Sequence, residues 1–266
     1  MRIPALIDAL TKSLAVHMTR VFDSDLQDLA RMIAEMGGLA ERQITEAIEA
    51  LTTRDSSRAC RVIAADALID VMQRTIEETA VDTIGRRQPV DKDLRQIVGI
   101  LRIASELERI GDLAKNIGKR IVVIGAVDIS RRSMRGVRHL ATFVQAQCRD
   151  VLDSFAHGDV MQALDVWTRD EEADRLCTSL FRELLSDMTE DPAAVPSGIH
   201  LLFCTKNLER MGDHATNIAE VVHYMVKGRM LPGERPKADD TSTVTVAAGG
   251  GTGVRHACVA DLILQE

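Results

Sequence analysis

One phrase is written twice in this chain. Residues 106–120 read ELERIGDLAKNIGKR, and residues 207–220 read NLERMGDHATNIAE. The flanking segments match as well. Asp66 and Asp70 in ADALIDVM return 104 residues later as Asp170 and Asp174 in RDEEADRL. Glu108, Asp112 and Asn116 return 101 residues later as Glu209, Asp213 and Asn217, so the second copy has one shorter loop. Self-similarity at this period restricts the chain to two copies of one supersecondary unit stacked on each other.

Each copy is helical by its apolar spacing, with apolar residues three and four apart over 22–52, 56–85 and 91–123, and then over 134–157, 159–190 and 197–228. Pro89 ends one helix and Asp91 helps start the next, while Gly228 is a natural stop. The expected fold is all-α: two tandem three-helix bundles related by the internal repeat. The expected division is a lead-in over 1–20, a first bundle over 21–124, a second over 133–228, and a mostly flexible tail over 229–266. The tail is rich in Pro, Gly, Thr and Asp and has no helical period. Only 3% of the residues are aromatic, which argues against a β-sandwich and against stacking on bases. The net charge of −7 disfavours nucleic acid. Five widely spaced cysteines without a CxxC pair read as reduced core thiols of a cytoplasmic protein. No segment is long and apolar enough to span a membrane, so contact with one is expected only through partners.

On a helical wheel, Ile103, Leu107, Ile110, Ala114, Ile117 and Ile121 form one stripe of the third helix. Cys204, Leu208, Met211, Ala215, Ile218 and Val222 form its counterpart. These stripes are the expected bundle seam. Glu108 and Asp112 fall roughly opposite it, one turn apart, as do Glu209 and Asp213. Asp66 with Asp70, and Asp170 with Asp174, make the same spacing on the second helix. Side by side, the second and third helices of each copy gather four carboxylates. Like charges so gathered disfavour one another and call for a cation. A solvated acidic face is the alternative for any single pair; four pairs at matching places favour the cation. Oxygen-only ligands suit Mg2+, Mn2+, Ca2+ or iron, and Zn2+ less well. Gly111 and Gly212 each cost a helix about 1 kcal/mol relative to alanine, so their repetition implies close approach of a neighbour. Arg109 and Arg210 either pair with the acids, meet a partner or stay solvated. His214 either joins a metal site or is simply exposed, and Trp167 reads as core. No Glu-x-x-His motif, nucleophile elbow or phosphate loop is present, so no catalytic constellation is expected.

The doubled LERIGDLAKNI and LERMGDHATNI, the RRQPVDKDLR before the first copy, and MTEDPAAVPSGIHLLFCTKNLERMGD around the second resemble the PhoU family over residues 20–228. The resemblance implies a non-enzymatic negative regulator of phosphate-starvation signalling and phosphate uptake. It implies coupling between a phosphate ABC transporter (ATPase or permease) and a membrane sensor histidine kinase. It also implies metal ions, divalent or ferric, at E(D)xxxD motifs: here Glu108 to Asp112 and Glu209 to Asp213, with Asp66, Asp70, Asp170 and Asp174 beside them. A homodimer or higher oligomer, cytoplasmic and peripheral at the inner membrane, goes with that reading. The alternative is a metal-dependent phosphohydrolase using the same carboxylates.

Overall fold

The computed structural model describes residues 3–125, 129–233, 235 and 237–241, with side chains described from Ser24 onward. Seven α-helices follow in order: α1 (Ile3–Thr53), α2 (Ser56–Arg87), α3 (Asp91–Ile124), α4 (Arg131–His157), α5 (Val160–Thr168), α6 (Asp170–Glu190) and α7 (Val195–Lys227). No strand occurs among the described residues. The boundaries follow from local chemistry. Asp55 caps α2 by accepting the Arg58 amide, and Ser130 caps α4 by accepting the Ser133 amide. Gly158 and Gly228 end α4 and α7 at φ of 63° and 73°, a conformation that costs glycine little. Asp91 and Asp93 lie in the first turn of α3, where the helix dipole favours negative charge.

Two boundaries differ from the sequence expectation. Residues 3–20 are not set apart as a lead-in, because α1 runs unbroken from Ile3 to Thr53. The helix expected over 159–190 is interrupted at Arg169, giving α5 and α6. The Arg169 guanidinium is held by Asp150 on α4 at 2.5 Å and Asp165 on α5 at 2.8 Å. Beyond it Asp170, Glu171 and Glu172 start α6 with three acids in its first turn. That cluster favours a fresh helix N-terminus over continuation.

The two seams form as expected: every one of the twelve residues on them is at most 2% exposed. Burying a side chain such as Leu or Ile contributes about 1.5–3 kcal/mol, so these stripes dominate the packing of α3 and α7. α3 packs on α1 and α2 in the first half, and α7 on α4, α5 and α6 in the second. The halves are themselves fused. The Arg95 and Gln96 side chains donate to the Met225 carbonyl, Glu106 meets His214 and Asn217, and the Arg120 guanidinium sits 4.1 Å over the Phe203 ring. As residue numbers rise along α3 they fall along α7, so these helices are antiparallel. α1 and α4 repeat the arrangement, with Glu41 near Arg149 and Thr45 bonded to Gln145. Two antiparallel helix pairs, α3 with α7 and α1 with α4, thus join the two copies around an approximate two-fold relation.

Candidate functional site

In the first half the acids of α2 and α3 converge on Lys115. Its ammonium lies 2.5 Å from Asp66 Oδ2 and 2.9 Å from Asp112 Oδ1. Those two hydrogen bonds, Asp66 first, raise the lysine well above its ordinary range. Asp66 is only 3% exposed, so the ammonium neutralises a carboxylate that water scarcely reaches. Glu108 lies beside Asp112, within reach of the Arg109 guanidinium at 3.5 Å. Burial, then the Asp112 charge, pushes the Glu108 carboxyl upward, with smaller contributions from Asp70 and Asp66. The four first-half acids therefore form one electrostatic group.

In the second half the corresponding acids lie deeper. Asp170 and Asp174 are each 1% exposed and Glu209 is 5% exposed. Arg235, beyond the end of α7, forks onto Asp170: Nε donates to Oδ2 at 2.6 Å and Nη2 to Oδ1 at 2.5 Å. The same Nη2 reaches Asp213 Oδ1 at 2.7 Å, and Nη1 reaches Asn217 at 3.4 Å. Lys237 Nζ also donates to Asp213 at 2.7 Å. The Ala238 amide donates to Asp174 Oδ2 at 2.9 Å. Lys206 holds Glu209 at 3.1 Å and Asp239 at 2.9 Å. The Thr216 hydroxyl lies 3.1 Å from Asp170 Oδ1. Asp174 Oδ1 and Glu209 Oε2 remain buried with no hydrogen-bond partner. Burial raises both carboxyls; the Asp170 and Asp213 charges add to this at Asp174, and the Asp213 charge adds to it at Glu209.

The glycines in the repeated phrase make room for a buried glutamine. A Cβ at Gly212 would stand 3.1 Å from Gln147 Oε1, and one at Gly111 would stand 3.2 Å from Gln43 Oε1 and 2.8 Å from Ile69 Cδ1. Gln43 and Gln147 are 104 residues apart, the offset of the aspartates, so they belong to the repeat. Both are buried, on the first helix of their half. Gln43 Nε2 donates to the Val62 carbonyl at 3.1 Å, whereas both amide atoms of Gln147 lack a partner.

The PhoU domain family model matches residues 33–121 and again residues 137–222, one match per half. The chain belongs to the PhoU family. A Rhizobium meliloti protein named a phosphate-specific transport system accessory protein PhoU homolog is 48% identical over 228 residues, covering 86% of this chain and 96% of that one. A Caulobacter vibrioides protein of the same name is 42% identical over 223 residues, covering 84% and 97%. The crystal structure of PhoU from Pseudomonas aeruginosa superposes with a TM-score of 0.76 at 39% identity, covering 78% of this chain and all of that one. The Streptococcus pneumoniae phosphate transport system regulatory protein PhoU gives 0.74 at 25% identity, covering 79% and 99%.

Within these PhoU repeats, the eight predicted acids do gather in two groups of four. Their placement differs from the wheel in one respect. They do not form a fully solvated face but sit half-buried or buried. α3 and α7 are each covered by several neighbours, so little of their circumference is free. Among the described residues, no three or more His, Cys, Asp or Glu stand close enough to hold a metal ion. Ammonium and guanidinium groups lie among the carboxylates instead. The donor set nevertheless suits a hard cation in kind, since it is all oxygen and two buried oxygens of the second PhoU repeat are unpartnered.

Other predicted residues divide. Arg109 does join the first acidic group, while His214 turns away from Asp213. The His214 Nδ1–H donates to Glu106 Oε2 at 2.7 Å, and Asn217 donates to the same oxygen at 3.1 Å, tying α3 to α7. Trp167 packs against the core and its indole N–H donates to Glu220 at 3.1 Å. The expected flexible tail is corrected in part: Arg235 and residues 237–241 lie against α6 and α7. Residues 234, 236 and 242–266, with Cys258 and the final VRHACVADLILQE, lie outside the described residues. Sequence reasoning missed Lys115, Thr216 and the buried glutamines. Comparing the copies column by column would have found them, because all three lie at repeat-equivalent positions.

Proposed function

We propose that this chain is a non-enzymatic accessory and regulatory protein of phosphate uptake. It lowers phosphate-starvation signalling when phosphate is plentiful, acting between the phosphate ABC transporter and its sensor histidine kinase. One observation carries the reading: both halves match the PhoU domain, and relatives matching nearly their whole length bear the accessory-protein name. No helix among the described residues is long and apolar enough to cross a membrane, which fits docking on membrane proteins from one side. The fused four-helix centre makes the chain one stiff body, suited to presenting one face to each partner. Its working form is a homodimer or larger.

Divalent or ferric ions are the proposed ligands of the two acidic groups. Asp66, Asp70, Glu108 and Asp112 would hold one set, and Asp170, Asp174, Glu209 and Asp213 the other. A bound ion would supply positive charge that ties α2 to α3 and α6 to α7. What supports this is the pair of orphaned buried oxygens, which no protein group satisfies. The hydrolase alternative has less support. A nearby base or an arginine fork free for a phosphate would favour it, and the Arg235 fork is engaged on Asp170.

The regulatory reading is tested by deleting the gene and following a phosphate-starvation reporter in high phosphate. The reporter should stay on, and the intact gene should silence it. A reporter that shuts off normally in the deletion strain refutes the proposal. Elemental analysis of protein purified without chelator tests the metal reading. Loss of bound metal in Asp66→Asn and Asp170→Asn supports it, and wild-type protein with no metal after metal-replete growth refutes it.

A further inference from the structure

The two copies neutralise equivalent acids by different means. In the first, Lys115 supplies the cation from α3 itself, one turn beyond Asp112. The repeat-equivalent of Lys115, 101 residues on, is Thr216, which carries no charge. The missing cation is restored from outside the repeat, by Arg235 with Lys237. The match is close in chemistry. Lys115 bridges Asp66 and Asp112; Arg235 bridges Asp170 and Asp213, which are the same two columns of the repeat.

We propose that Arg235 and residues 237–241 form a cationic strap that stands in for a metal ion at the second acidic group and competes with cations from solution there. This rests on the reading of the acidic groups as cation sites. Lys115 always stands close to its group, because its backbone is fixed inside α3 one turn beyond Asp112. The strap can leave. It follows the helix stop at Gly228 and is held by side-chain contacts and two of its own amides, Ala238 to Asp174 and Asp240 to Thr178 Oγ1. Asp239 anchors it from the other side through Lys206, which also holds Glu209. Departure of the strap frees Asp170, Asp213 and one oxygen of Asp174 together. Asp174 Oδ1 and Glu209 Oε2 are already free and buried, so the vacated group has oxygen donors to offer a hard cation. The first group keeps its fixed internal cation, and the second carries a removable one. The second PhoU repeat is thus the half whose cation site a strap can open and close.

The test uses full-length protein and Mn2+ alone as the probe. Free Mn2+ is followed by electron paramagnetic resonance in wild type and in the Arg235→Ala/Lys237→Ala double variant. A strap docked about nine-tenths of the time weakens apparent Mn2+ affinity ~10-fold, so the double variant should bind that much more tightly. Adding Asp213→Asn should abolish the gain. Hydrogen exchange in unmutated protein gives a second measurement that requires no variant. The Ala238 amide should be protected without metal and lose protection as Mn2+ is added. Equal Mn2+ affinity in wild type and double variant, with Ala238 indifferent to Mn2+, overturns the strap as a competitor. An Ala238 amide that exchanges freely without metal overturns strap docking itself. If Ala238 is protected but no Mn2+ binds either protein, the cation-site reading fails, and competition fails with it, while the docked strap remains.

Discussion

Replacing Gly111 with alanine should destabilise this protein, although alanine is the better helix former. Two terms oppose each other. Alanine gains about 1 kcal/mol over glycine inside a helix. Against that, the new Cβ would lie 2.8 Å from Ile69 Cδ1, closer than real Cβ contacts come, and 3.2 Å from Gln43 Oε1. Ile69 is 1% exposed and Gln43 is 4% exposed, so both are hemmed in and a shift of either disturbs further core residues. Overpacking of this kind costs about 1–3 kcal/mol, which leaves a net loss near 1 kcal/mol. Gly85 is the control. It also lies inside a helix, but nothing stands within 4 Å of its added Cβ, so Gly85→Ala should stabilise by about 0.5–1 kcal/mol. Gly212 is intermediate, with a single tight contact of 3.1 Å to Gln147 Oε1 and its next neighbours at an ordinary 3.8 Å. Its alanine variant should fall between the other two. Urea unfolding followed by far-ultraviolet circular dichroism reads the order directly. With a denaturant slope of roughly 3 kcal/mol per molar, Gly111→Ala lowers the midpoint by ~0.3 M. A midpoint at or above wild type for Gly111→Ala refutes the reasoning, since the propensity term would then be the only one acting.

Three further outcomes follow from the same contacts. Lys115→Ala strips the ammonium from the buried Asp66 carboxylate and should cost about 1–3 kcal/mol in thermal or urea unfolding; millimolar Mn2+ should recover part of the loss in the variant, and no recovery would count against a cation site in the first group. Asp239 is held down to about 2, against an ordinary 3.8: burial opposes the shift, but the Thr241 and Lys206 hydrogen bonds outweigh it. Its folded value is the lower one, so its contribution is complete above the ordinary value and is lost as pH falls towards 2. The urea-midpoint gap between wild type and Asp239→Asn should therefore be constant above about pH 4–5 and close on acidification, and a gap that widens there would contradict the assignment. Burial pushes the Cys148, Cys177 and Cys204 thiols up to about 12, while Cys60 is exposed. In a Cys258→Ser background, a thiol reagent at neutral pH should label Cys60 promptly and the other three only on unfolding.

Much of the fold was legible because it depends on spacing alone. The seam from Ile103 to Ile121 and its copy from Cys204 to Val222 could be read from a wheel, and all twelve residues are buried. Gly228 ends α7 as its position suggests. A wheel, however, knows only one buried face. It placed Glu108, Asp112, Glu209 and Asp213 opposite the seam but gave no measure of their burial, because it could not count the several helices that cover α3 and α7. The break at Arg169 was hidden for a related reason: it is fixed by an ion pair to Asp150 on another helix, and apolar spacing carries no record of that partner. Arg235 is the extreme case, since it binds an aspartate 65 residues back in the chain from within a segment whose composition reads as loop.

The repeat itself held more than was taken from it, and the reason bears on how such a chain works. Identical positions in the two copies report what both bundles need: the apolar seam, the four acids, and a buried glutamine facing a helical glycine. Those shared positions are constrained by packing and cannot by themselves distinguish the halves. The distinguishing position at the acidic groups is one of several where the copies disagree, Lys115 against Thr216. The buried Asp170 carboxylate, left without its cation, would weaken the second half unless something replaced it. The chain beyond Gly228 supplies the replacement, and being outside the helix it supplies it reversibly. Divergence between two copies of an otherwise matched site thus locates the part of the molecule that can change state, and in this protein it points to the acids under Arg235 and residues 237–241.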